Sequence, residues 1–152
     1  MPSFQTVHKV AHSSDDMFSL VADVEKYPEF VPLCEKLQVR GRRALEDGRT
    51  VLVADMTVAY KLFRETFTSR VTLEPANGRI LVEYLDGPFR HLENTWTFRS
   101  LSEDESEIGF FISYEFKSRA LSALMSAMFD RAFRKFSDAF EERADIVYGG
   151  AA

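Results

Sequence analysis

The residues able to do chemistry in this 152-residue chain are few and scattered. Three histidines, His8, His12 and His91, and one cysteine, Cys34, are its whole complement of imidazoles and thiols. Two histidines four residues apart hold a metal ion when both sit on one helix face. The segment from Ser3 to His12 instead alternates roughly as a strand, with Phe4, Val7 and Val10 as apolar points and one break in phase. Four strand residues span about 13 Å, so His8 and His12 cannot share an ion directly. A lone cysteine builds neither a thiolate cluster nor an internal disulfide. No nucleophile elbow, Gly-rich phosphate loop or Walker motif occurs. Glu65, Glu83 and Glu115 fall within strands and read as solvated faces; Glu65 is the one to watch, because it shares parity with Phe63 and Phe67. The expectation is a protein with no catalytic residue, no metal site and no cofactor, and so not an enzyme.

The chain is rich instead in apolar surface punctuated by uncharged polar groups. It has 14 Phe against 5 Tyr and 1 Trp, much apolar area without a hydrogen-bonding handle. That suits a dense core or the wall of a greasy pocket. Asn94 is in phase with Leu92, Trp96 and Phe98. A buried amide needs partners, and either neighbouring backbone or a ligand's polar head would serve. Tyr114, in phase with Ile112 and Phe116, is placed alike. Phe67, Asn94, Trp96, Tyr114, Met125, Met128, Phe129 and Phe133 are therefore the candidate ligand contacts, the flexible methionines suiting an adaptable tail. The loop from Tyr27 to Leu33 is unusually apolar for a surface segment. Its Tyr27, Phe30, Val31 and Leu33, with Phe89, either plug one end of the core or form a cavity mouth that touches membrane. Lys117, Arg119, Arg131, Arg134 and Lys135 against Asp130 give a local net of +4 over residues 117–135. Arg131, Arg134 and Lys135 form a basic patch for which a solvated helix face, anionic lipid and an RNA backbone are the three readings.

The elements that must position these residues follow from periodicity. Ser13-Ser14-Asp15-Asp16 is a helix start, because short polar side chains accept the free first-turn N–H groups. Two prolines between Asp23 and Leu33 allow at most a short helical turn and then a loop. From Cys34 the period becomes two, and turn signals at Asp47-Gly48, Pro75-Ala76-Asn77-Gly78, Asp86-Gly87-Pro88 and Ser102 to Ser106 separate successive strands. From about Ser118 to Tyr148 the period becomes helical, with Leu121, Leu124, Met125, Met128, Phe129, Ala132, Phe133, Phe136 and Phe140 on one face. Hairpins dictate an antiparallel sheet. Only the last helix is long and apolar enough to cover it. The expected fold is α+β, a helix-grip in which a curved antiparallel sheet of about seven strands wraps a long C-terminal helix and leaves room for a cavity.

Bulk properties narrow the partners. The length is that of one domain, taken as residues 1–152. A net charge of −5 argues against a general nucleic-acid binder, and no DNA partner is expected. No stretch approaches the roughly 18 apolar residues of a membrane span. The first residues resemble neither a signal nor a transit peptide. A cytoplasmic protein, peripheral at the inner membrane, is the expectation.

Four strings resemble one family. They are Tyr27-Pro28-Glu29-Phe30-Val31-Pro32-Leu33-Cys34, Asp86-Gly87-Pro88-Phe89-Arg90-His91-Leu92-Glu93-Asn94-Thr95-Trp96-Thr97-Phe98, Ile112-Ser113-Tyr114-Glu115-Phe116-Lys117-Ser118 and Ala139-Phe140-Glu141-Glu142-Arg143-Ala144. In this order they resemble the coenzyme-Q-binding START-domain proteins over nearly the whole chain. Leu33 departs from the pattern, standing where the family often has Trp. The resemblance implies a START-like fold that binds ubiquinone or a related polyprenyl quinone as a ligand, without catalysis, and supports quinone delivery or biosynthesis for respiration. A transient membrane surface would then be a partner. Bacterial relatives with the same motifs imply an alternative, a ribosome-associated inhibitor of subunit association whose partner is the large ribosomal subunit. A small-molecule cyclase or hydrolase is a third reading, weakened by the missing acid–base constellation.

Overall fold

A computed structural model describes residues 3–149. Strand β1 (Ser3–Val10) leads to helix α1 (Ser14–Ala22), a short 3-10 turn (Val24–Glu29), then β2 (Cys34–Ala44), β3 (Thr50–Tyr60), β4 (Phe63–Glu74), β5 (Arg79–Asp86), β6 (Phe89–Ser102), β7 (Glu105–Phe116) and helix α2 (Arg119–Tyr148). Helix α1 starts where its polar residues direct: the Ser13 side chain accepts from the Asp16 N–H at 3.1 Å, and Asp15 and Asp16 occupy the positive first turn. Ser118 caps α2 in the same way through the Leu121 N–H at 3.1 Å.

The seven strands form one antiparallel sheet in the order β1-β7-β6-β5-β4-β3-β2. Six consecutive strands thus form a meander, and β1 closes onto its last member. Alternation is strictest along β7, where Ser106, Ile108, Phe110, Ile112, Tyr114 and Phe116 are all buried. The pleat turns that row toward α2, and the helix-grip arrangement follows. The break in phase in β1 is Val7, which faces solvent at 61 % exposure, while Val10 is buried. Leu124 also leaves its stripe: it is helical in spacing yet 76 % exposed. Leu121 and Met125 on either side of it pack against the core, so Leu124 falls outside the covered face of the helix. Among the described residues, no helix is long and apolar enough to cross a membrane.

Polar clasps fix the far half of α2. His8 Nε2 bonds Glu141 Oε1 at 3.0 Å, and His12 Nε2 bonds Asp145 Oδ1 at 2.6 Å. The two histidines therefore tie β1 and the bend after it to one helix. Arg143 reaches the other way, donating to Glu29 at 2.7 Å and lying 5.1 Å over the Phe30 ring. That contact joins the first and last of the four sequence strings.

Candidate functional site: an uncharged cavity between sheet and helix

Between the sheet and α2 lies a cavity of about 120 Å³. Strands β2 to β7 supply its floor, α2 its roof, and the segment from Tyr27 to Leu33 one end. The inward parity of each strand explains the set. Phe67, Ser69 and Val71 come from β4, Leu92, Asn94 and Trp96 from β6, and Phe129, Phe133, Phe136 and Phe140 from successive turns of α2. Among the described residues no charged side chain lines it; Tyr27, Ser69 and Asn94 are polar, and Trp96 carries an indole N–H.

Each polar group has a definite state. The Tyr27 hydroxyl donates to the Val21 carbonyl; burial pushes its phenol far above the ordinary range, so it stays neutral. Asn94 Nδ2 donates to the Phe111 carbonyl at 2.8 Å. The backbone partner expected for a buried amide is present, and the second amide hydrogen remains. Ser69 is 5 % exposed and its hydroxyl has no partner among the described residues. Such an orphan in an apolar setting costs free energy and calls for an explanation.

Of the residues singled out from sequence, Phe67, Asn94, Trp96, Phe129 and Phe133 line the cavity. Tyr114, Met125 and Met128 do not. Tyr114 is buried in an aromatic cluster with Phe89, Phe116, Phe129 and Phe133, and its hydroxyl donates to the Ser126 carbonyl at 3.4 Å. Parity placed it inward correctly, but that part of the sheet packs directly on the helix. Met125 is buried one turn before Phe129, and Met128 is half-buried beside the core.

The expected mouth needs correcting. Tyr27, Val31 and Phe89 are all under a tenth exposed and cannot meet a membrane. Phe89 is the hub of the aromatic cluster, stacked on Phe116 at 4.7 Å, and its N–H donates to the Tyr84 hydroxyl at 3.0 Å. Phe30 packs edge-on against Phe140 at 5.0 Å beneath Arg143. Leu33 lines the cavity in a left-handed conformation (φ 69°), and its carbonyl accepts from the Ala59 N–H at 3.0 Å. The segment is a plug. The exposed apolar side chains include Tyr60 and fully exposed Leu62 at the β3–β4 turn, Leu124 on α2, and Ile146 and Val147 at its end. Phe63 meets Phe129 at 6.3 Å, which brings that turn to the first half of α2.

The basic patch is real as a surface. Arg131, Arg134 and Lys135 are exposed. Arg134 bonds Asp130 at 2.9 Å and stacks over Phe4, while Arg131 and Lys135 have no ion pair among the described residues. Burial pushes the Cys34 thiol up to about 11, so it stays a neutral thiol near pH 7. Glu65 is half-buried and not on the cavity wall. Ser69 was missed from sequence although it sits at the parity of Phe67 and Val71; a small polar residue in an apolar row was the signal.

Comparison with known proteins fits this architecture. The chain is 33 % identical over 148 residues to the persistence and stress-resistance toxin PasT of Escherichia coli O6:H1, covering 97 % of this chain and 90 % of that one. It is 33 % identical over 133 residues to the ribosome association toxin RatA of Pseudomonas aeruginosa, covering 88 % of each. It is also 33 % identical over 141 residues to the mitochondrial coenzyme Q-binding protein COQ10 homolog B of Xenopus laevis, covering 90 % of this chain and 55 % of that one. Among solved structures, an 18 kDa protein of Caulobacter crescentus superposes with a TM-score of 0.80 at 32 % identity, over 98 % of this chain and 99 % of that one. The Zhui aromatase/cyclase of Streptomyces sp. R1128 shares the fold with a TM-score of 0.81 at 20 % identity, over 99 % of each chain. The family model for polyketide cyclase / dehydrase and lipid transport proteins matches residues 10–141, and this chain belongs to that family.

Proposed function

We propose that the chain binds ubiquinone or a related polyprenyl quinone without catalysis, taking the ring into its cavity in support of quinone delivery or biosynthesis. The observation that carries this is the lining, apolar apart from three uncharged polar side chains and the Trp96 indole N–H. Burying an unpaired charge there would cost far more than apolar contact returns. Carboxylate and phosphate heads are disfavoured, and a neutral head is favoured. Size points the same way. A closed apolar cavity of about 150 Å³ takes a benzene ring, and this one is of that order. That size is the scale of a single ring and far short of a polyprenyl tail. A tail in a bilayer is already out of water, so the usual ~0.8 kcal/mol per buried CH₂ is not gained by moving it. Leaving it near the membrane therefore loses little. Exposed Leu62, next to Lys61, and exposed Leu124, within two helical turns of Lys117 and Arg119, suit contact with an anionic surface. The coenzyme Q-binding relative supports the same reading.

Trp96 is the single tryptophan, lies on the cavity wall and is 4 % exposed. Titration with decylubiquinone is expected to quench its fluorescence to a saturating plateau. A flat titration, with no quinone in organic extracts of protein from its native host, would sink the proposal. The relatives named ribosome association toxins favour a second reading, binding to the large ribosomal subunit. Co-sedimentation with purified subunits at physiological salt tests it.

A further inference from the structure

The uncharged lining leaves open what selects one neutral ligand over another, and Ser69 answers it. Ser69 is 95 % buried (5 % exposed), sits on the cavity wall between Phe67 and Val71 on the same face of β4, and its hydroxyl has no partner among the described residues. A serine held this way normally bonds backbone or a neighbour, because an unmade hydrogen bond in an apolar setting is costly. Its β-strand neighbours make no bond to the hydroxyl: it pairs with Ala54 on β3 and Tyr84 on β5, and the Tyr84 hydroxyl accepts from the Phe89 N–H instead. Ser69 thus forms part of the wall between sheet and helix, with its hydroxyl closed off from solvent and unpaired among the described residues.

A second donor lies across that space. Half-buried Asn94 spends one amide hydrogen on the Phe111 carbonyl, and the other has no partner among the described residues. Asn94 pairs with Val82, Val82 pairs with Val71, and Ser69 is two residues further along. Two strand spacings and two residues put the backbones of Ser69 and Asn94 roughly 12 Å apart, before the side chains reach inward. A ring with oxygens at opposite ends spans such a gap, donor to acceptor at each side.

We infer that Ser69 is the head-group contact of this cavity: its hydroxyl donates to a ring oxygen of a neutral ligand, with the Asn94 amide available to an oxygen on the far side. The inference rests on the binding reading above and narrows it to ring compounds that carry hydrogen-bond acceptors. The hydroxyl is then an orphan only in the empty protein. Ser69→Ala removes a group that makes no bond in that state, so it is not expected to lower the melting point.

The test pairs two neutral ligands of one shape, duroquinone and its hydrocarbon counterpart durene. Their affinities for the full-length wild type, Ser69→Ala and Ser69→Thr are measured by calorimetry. Wild type is expected to prefer duroquinone. Ser69→Ala is expected to lose about five- to tenfold in duroquinone affinity and nothing for durene, the size of one net hydrogen bond. Ser69→Thr restores the preference. An unchanged preference in Ser69→Ala overturns the contact, as does equal weakening of both ligands with a lowered melting point, which marks the hydroxyl as structural or satisfied by water. A wild type that takes neither ligand also overturns it. Quenching by decylubiquinone without any Ser69-dependent difference removes the contact and leaves the carrier reading standing. A Ser69-dependent preference without uptake of decylubiquinone keeps the contact and removes the carrier reading.

Discussion

Gly87 shows how one backbone position governs the cavity wall. It adopts φ 145°, and a Cβ there would lie 2.6 Å from the Phe67 Cβ. Phe67 lines the cavity and meets Phe89 edge-on at 5.5 Å. The Asp86-Gly87-Pro88-Phe89 string thus keeps glycine for two reasons at once, a backbone that favours it and a close approach to an aromatic wall residue. Gly48, at the β2–β3 turn, has φ 92° but open space around it. The pair separates the two effects. Gly48→Ala is expected to cost about 1 kcal/mol, from backbone strain alone. Gly87→Ala should cost at least about 2 kcal/mol more in urea unfolding, because Phe67 must also move. Equal losses at the two sites would show that the Phe67 contact relaxes freely. At this same scale a sequence is least informative. Nothing in the pattern distinguishes Tyr114, packed against the helix, from Asn94 beside open space, since both are inward on neighbouring strands.

The elements were far more legible. The four turn signals fall where the structure breaks strands, while the β3–β4 turn at Lys61-Leu62 carries none; the apolar rows of β3, β4 and β7 face inward as their alternation implies, because register fixes an entire face at once. The stretch from Tyr27 to Leu33 was ambiguous for a physical reason. Apolar side chains in a Pro-bounded loop fit a plug or a lip equally, and only the partners decide. Those partners are Phe140, which packs on both Tyr27 and Phe30, and Arg143, which covers Phe30 and binds Glu29. Both lie more than a hundred residues along the chain, beyond any local pattern. Arg143 also holds the Glu29 carboxyl below the usual carboxylate range by hydrogen bonding to it. The segment is therefore structural. Val31→Ser and Phe30→Ser are each expected to destabilise the fold, by about 2 and 3 kcal/mol, through lost burial and a cavity left behind. Thermal melts read this directly. Native melting curves with slowed quinone transfer between vesicles would instead restore the loop as a doorway.

At the scale of the whole molecule, the open matter is which large partner the surface addresses. A chain of net charge −5 must approach a polyanion against long-range repulsion. On α2, Arg131, Arg134 and Lys135 are exposed and Arg134 is already occupied by Asp130. Two unpaired cations give anionic lipid roughly 1 kcal/mol each near the surface. RNA phosphates attract these two against repulsion from the rest of an acidic molecule, and each contact weakens with added salt. A bilayer differs in one respect: apolar insertion by Leu62 and Leu124 adds a contribution that salt does not screen. Replacing Arg131, Arg134 and Lys135 together with Gln is therefore expected to reduce binding to anionic vesicles several-fold. Neutral vesicles, which Leu62 and Leu124 would still engage, should change little. The same variant, sedimented with large ribosomal subunits, is the other arm. Wild-type protein that pellets with subunits at physiological salt and ignores vesicles of every composition would move the main role to the ribosome, with the basic patch as its contact. Binding to vesicles and never to subunits would remove that reading. The second outcome is the one expected, because membrane contact draws on both the charge and the exposed leucines, whereas an RNA surface uses the charge alone.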